Sequence, residues 1–206
     1  MIGRADRRAR ALAAGLGLIA CGLGASACNR PRSPEAACEL LVRGISEVDA
    51  STIFDALLPS TQWSLDTVAK NHRAMRALIN KSYAVEQRPA ALARLYGAEA
   101  DSGRELFQLL YPTRYQAELE RRTGSGPPQV RAEAAGAEPL AGNVVERAGC
   151  QRQQPPAGAQ PFRLGKMASG RWGLLELERE WDDAKLRSVH DLETVKKNAE
   201  LFQQAR

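Results

Sequence analysis

The stretch that decides the fold is Phe162-Arg163-Leu164-Gly165-Lys166, followed by Ser169-Gly170 and then Arg171-Trp172-Gly173-Leu174-Leu175-Glu176-Leu177. Apolar residues alternate with polar or small ones on either side of a Ser-Gly turn, the pattern of a β-hairpin. With this hairpin the chain reads as α+β; the rival is a mostly helical bundle carrying one hairpin. The alternation slips at Leu174-Leu175, where Gly173 would permit a bulge, so the buried face of the second strand stays open.

Upstream, Val130 to Ala135 and Asn143 to Cys150 are further strand candidates, separated by Gly136 to Gly142, and Pro155-Pro156-Ala157-Gly158 forms a turn. Thr123-Gly124-Ser125-Gly126-Pro127-Pro128 breaks the chain, and before it the pattern is helical. Ser33-Pro34-Glu35 opens a helix with a capping hydroxyl, a proline at the first position and a carboxylate in the first turn; Leu40, Leu41, Ile45 and Val48 form its stripe. Asp49 caps a short helix carrying Ile53, Phe54, Leu57 and Leu58 and ending at Pro59. Ser60 caps a longer one with Leu65, Val68, His72, Met75 and Ile79. Pro89 to Tyr96 and Gly103 to Tyr111 read as short helices, the second capped by Asp101 or Ser102 and stopped by Pro112; Arg114 to Arg122 reads as a charged, exposed one. Downstream of the hairpin, Trp181 to the end is a long helix with Leu186, Val189, Leu192, Val195, Ala199 and Phe202 on one side, expected to pack on the sheet.

The N-terminal run sets the expected compartment. Arg4, Arg7, Arg8 and Arg10 precede the apolar segment Ala11 to Ala20, about ten residues against the roughly 20 a spanning helix needs. Charge, short apolar core and small residues in that order make residues 1–20 a signal peptide, 21–32 a tether and 33–206 a single globular domain. Leu18-Ile19-Ala20-Cys21 resembles the lipobox of bacterial lipoproteins, which implies a diacylglyceryl (palmitate-bearing) cysteine at Cys21 as the new N-terminus, with Cys28 as the alternative. Ala25-Ser26-Ala27 before Cys28 also fits an ordinary cleavage site that would release a soluble chain.

The formal charge of +5 owes much to that leader: without residues 1–20 the chain holds 25 basic and 23 acidic residues, a balance of +2. So small an excess removes most of the case for a nucleic-acid partner, and none is expected. Cleavage at Cys28 would leave Cys38 and Cys150 as a natural disulfide pair in an oxidising compartment; cleavage at Cys21 leaves Cys28 over as well. No C-x-x-C or Cys/His cluster is present, so neither a metal nor a cofactor is expected.

The order of helices first, then a meander, is similar to small exported lipoproteins of the NTF2-like, or cystatin-like, superfamily. Pro34-Glu35-Ala36 after the tether, Asp49 before Leu57-Leu58-Pro59, and the late Gly170-Arg171-Trp172 carry the resemblance. It implies a cone-shaped pocket for a small apolar ligand, for which Trp172, Tyr83 and Tyr111 are the candidate lining residues.

Chemistry-bearing residues are sparse. His72 and His190 each lie beside an apolar stripe with no obvious carboxylate partner beyond their neighbours Asp66 and Asp191. Glu176, Glu178 and Glu180 follow period two and would share a face if the strand continued. No nucleophile elbow or phosphate loop occurs, and no catalytic residue is expected. The function expected is that of a non-enzymatic lipoprotein anchored in the cell membrane or outer membrane, facing the periplasm, that binds an envelope protein or serves envelope structure. The alternative is an NTF2-like module binding a small apolar molecule.

Overall fold

A computed structural model of the chain describes residues 31–132 and 144–204. Helices α1 (Pro34–Ser46), α2 (Ala50–Ala56), α3 (Pro59–Ser82), α4 (Arg88–Leu92), α5 (Gly103–Arg114) and α6 (Gln116–Thr123) precede strands β1 (Ser125–Ala132), β2 (Val144–Gln154), β3 (Phe162–Met167) and β4 (Trp172–Leu174), and α7 (Glu178–Gln204) closes the chain. The strands form one antiparallel sheet in the order β1-β2-β3-β4. The class is α+β, and the helical-bundle rival is set aside.

Local chemistry starts and stops the first helices. Ser33 Oγ accepts from the Ala36 N–H at 3.2 Å and Pro34 occupies the first turn. At the other end the Asp49 N–H reaches Gly44 O (2.8 Å) and the Val48 N–H reaches Ile45 O (3.2 Å), a Schellman closure with Val48 at φ 53°. Asp49 then caps α2, accepting from the Ser51 N–H at 2.9 Å and from the Thr52 hydroxyl at 2.5 Å. That hydroxyl bond leads the effects that hold its carboxyl below the ordinary value. Pro59 begins α3 as well as ending the run before it, so Ser60 does not cap; its hydroxyl donates to Glu178 at 2.7 Å. The buried Gln62 amide donates to Phe54 O (2.8 Å) and Leu57 O (3.3 Å), satisfying carbonyls left open at the end of α2.

Three boundaries differ from the sequence pattern for physical reasons. Pro112 does not stop α5, which runs two residues further, because the carbonyl its missing N–H would have bonded belongs to exposed Gln108. The Gly-Ser-Gly-Pro-Pro break is largely β1: its prolines lie in an edge strand, where a missing ladder donor is tolerated. β4 is only three residues long, and Gly173 makes no bulge there. A β-carbon on Gly173 would stand 2.6 Å from Leu58 N and 2.8 Å from Leu57 O, so the glycine admits the Leu57-Leu58 backbone beside the strand, where Leu57 bridges Leu174 in parallel.

The main core lies between the sheet and α1, α2 and α5. α1 crosses one sheet face and touches all four strands, burying Ala37, Cys38, Leu41 and Ile45 against Ala148, Cys150, Phe162, Leu164 and Leu174. α7 packs on α3 instead of on the sheet, and the two run parallel: Ser60 meets Glu178, Ser64 meets Asp182, Asn71 meets Ser188 and Ser82 meets Gln203. The seam of α7 is Trp181, Ala184, Ser188, Leu192, Val195, Ala199 and Phe202, spaced by three and four. Leu186 and Val189, expected on the buried side, are 66% and 44% exposed, because Ser188, held by Asn71, takes the seam position.

Candidate functional site

Cys38 on α1 and Cys150 on β2 are both buried and are joined as a disulfide, their Cα atoms 5.4 Å apart. Cys21 and Cys28 lie outside the described residues, as does the whole 1–20 segment. The three candidate pocket aromatics are placed apart. Tyr111 is in the core beside Phe107, ring centres 6.0 Å apart; Tyr83 meets Phe202 edge-on at 4.9 Å; Trp172 is buried opposite Lys166, its backbone N–H donating to Pro31 O at 3.0 Å. Each is taken up by packing where it stands.

A surface depression of about 320 Å³ lies elsewhere, lined by Ile45, Ser46, Val48, Glu120, Thr123, Gly124 and Arg152. Its polar groups already have partners: Arg152 donates to Ser46 Oγ within the depression and to Gly126 O (3.3 Å) beside it, Thr123 donates to Leu119 O (2.6 Å), and Glu120 accepts from Gln116 (2.8 Å). It holds no nucleophile with a neighbouring base.

The titratable groups serve as struts. His72 is buried with Nδ1 2.9 Å from Tyr96 O, its ring edge-on to Tyr96 at 4.8 Å, and burial holds its pKa below the ordinary value. It is therefore neutral and donates from Nδ1 to the carbonyl. His190 is exposed on α7. Glu176, Glu178 and Glu180 share no strand face, since α7 begins at Glu178. Glu176 pairs with Arg122 at 2.8 Å, Glu178 accepts from Ser60, and Glu180 accepts from the Tyr115 hydroxyl at 2.9 Å. Burial first, then the Glu180 charge, pushes the Tyr115 phenol far above its usual range. Asp182 accepts from Ser64 (2.7 Å) and Lys185 (2.8 Å); burial opposes its ionisation, but these bonds outweigh it and hold the carboxyl below its ordinary value. Ser64 is sealed and Lys185 bonds the carboxylate, not the serine, so the trio carries no nucleophilic arrangement. Among the described residues no group of three His, Cys, Asp or Glu side chains is placed to hold a metal ion, and no helix is long and apolar enough to cross a membrane.

The arrangement that sequence reasoning missed is on the sheet face turned away from α1. Register sets Arg131, Gly149 and Arg163 side by side across β1, β2 and β3, and Arg147, Gly165 and Gly173 side by side across β2, β3 and β4. Gln129 and Gln151 form the next row, with the Gln151 amide oxygen, turned toward β1, accepting from Arg131 Nε and Nη2 at 3.0 Å each. Arg131 and Arg163 are exposed, and the paired positions of this face carry no Asp or Glu. The available signal was the recurrence of Arg at 131, 147 and 163, which acquires meaning only once the strand register is known.

No family model, curated protein or solved structure matches the chain.

Proposed function

We propose that this protein is an exported, non-enzymatic lipoprotein, held at a bacterial membrane by a diacylglyceryl-cysteine at Cys21, or at Cys28, and acting there as a binding or structural component of the cell envelope. The observation that carries the reading is the order Arg4 to Arg10, Ala11 to Ala20, Leu18-Ile19-Ala20-Cys21. The buried Cys38–Cys150 disulfide supports export, since such bonds persist in oxidising compartments. The commitment of Ser64, His72, Asp182 and Tyr115 to packing and mutual hydrogen bonds supports a role without chemistry. Helices preceding an antiparallel meander keep the NTF2-like resemblance within this reading.

The test is the intact mass of the mature protein extracted from bacterial membranes, beside the Cys21→Ala and Cys28→Ala variants. A mass matching an acylated chain that starts at one cysteine, lost in the corresponding variant, is the expected result. An unacylated chain starting at Cys28 would overturn the anchor.

A further inference from the structure

We infer that the outer sheet face bearing Arg131, Arg147 and Arg163 lies against the bilayer and contacts anionic phospholipid headgroups. The inference rests in part on the lipid-anchored reading, but its main support is the face itself. Arginines come from three adjacent strands: Arg147 on β2 is half-buried with its Nε sealed from solvent, while Arg131 and Arg163 are exposed and flank Gly149 across the sheet. At about 4.8 Å per strand their backbones are about 10 Å apart, on a surface whose paired positions hold no acid. Gly149, Gly165 and Gly173 are buried beneath Pro161, beneath Val144 and Leu175, and beneath the Leu57-Leu58 backbone respectively, so the exposed charge of this face is carried by Arg131 and Arg163 on either side of Gly149. A sheet face of one sign is complementary to an extended anionic surface more than to a small ligand, which a concave site would suit better.

The chain's path points the same way. Pro31 O accepts from the Trp172 N–H, which places the entry of the chain at the β4 edge, about three strand spacings or 15 Å from Arg147. From Cys21 to Pro31 there are ten residues and from Cys28 three, so at about 3.5 Å per residue an anchor lies within about 35 Å or about 10 Å of that edge. Either tether lets this face rest on the membrane that holds it.

The experiment is co-sedimentation with vesicles of phosphatidylcholine alone or with phosphatidylglycerol added, using an unacylated chain from residue 29 onward, which retains every described element and the main core. Binding is expected only to the anionic vesicles. It should fall about fivefold for each single Arg→Gln change at 131, 147 or 163 and about a hundredfold for all three, and should vanish in high salt. The triple variant Arg43→Gln, Arg76→Gln, Arg94→Gln removes the same charge from exposed positions outside the sheet, two on helices and one in the turn after α4, and should bind nearly as the parent does. Absence of binding to anionic vesicles, or equal loss in both triple variants, overturns the inference. Because the assay needs no acyl chain, it is decided separately from the anchor. An acylated mass without arginine-dependent binding leaves the lipoprotein reading standing and removes this face, whereas arginine-dependent binding without acylation leaves the face and removes the anchor.

Discussion

Gly173 and Leu58 approach so closely that a β-carbon on the glycine would stand 2.6 Å from the leucine's backbone nitrogen. The contact seats the α2–α3 corner beside β4, where Leu57 bridges Leu174, and so joins the helical half of the chain to the sheet. Backbone cannot rotate aside as a side chain can. Gly173→Ala should therefore cost about 3 kcal/mol, at the upper end of overpacking effects, and lower the thermal midpoint by roughly 10 °C. A melt followed by circular dichroism checks this; an unchanged midpoint would mean that the corner does not sit on the strand.

Val48 closes α1 in the left-handed region, at φ 53°, where glycine is the usual occupant. A β-branched residue held there is strained by about 1–2 kcal/mol. Val48→Gly keeps both Schellman hydrogen bonds and should stabilise the fold by about 1 kcal/mol net of the added flexibility of the unfolded chain. The readout is the midpoint of urea unfolding at constant slope.

The Cys38–Cys150 bond spans 112 residues of sequence and ties α1 to the second strand. Reducing it, or replacing both cysteines with alanine, should remove about 3–5 kcal/mol. Denaturant titrations with and without reductant measure the difference. Equal curves would show that the two sulfurs are not joined in solution.

Burial lowers the His72 pKa below its ordinary value of 6.5, so between the folded and unfolded values the folded chain binds fewer protons than the unfolded one. Stability from this group is full above the unfolded value and is lost as pH falls from there toward the lower folded value. His72→Asn, which retains a donor toward Tyr96 O, should flatten the stability profile between pH 7 and the onset of acid unfolding. Asp49 and Asp182, both held below the ordinary carboxylate value of 3.8, act separately, their contributions being present above that value and lost as pH falls below it. A parent profile that is already flat near pH 6 would contradict the burial of a neutral imidazole.

Where a structural cause is local, the residues alone announced it. Ser33-Pro34-Glu35 and Asp49 start helices through bonds reaching only two or three residues along the chain, and the Ser169-Gly170 turn specified the β3–β4 hairpin. Those signals were enough for the α+β class. The charge order of the N-terminal run likewise needs no fold to be read, which is why the proposed compartment rests on sequence.

Tertiary structure decided whatever depended on a distant partner. Leu186 and Ser188 are both compatible with a helix seam; Asn71, more than a hundred residues away, selects the serine and leaves the leucine in water. Gly173 looked like a bulge because its reason, the Leu58 backbone, enters from another element. The outer arginines are scattered at 131, 147 and 163, and only the antiparallel register, which turns alternate residues to a common face, gathers them onto one surface. Periodicity along a chain states which residues can share a side; the partner packed there determines which side is buried.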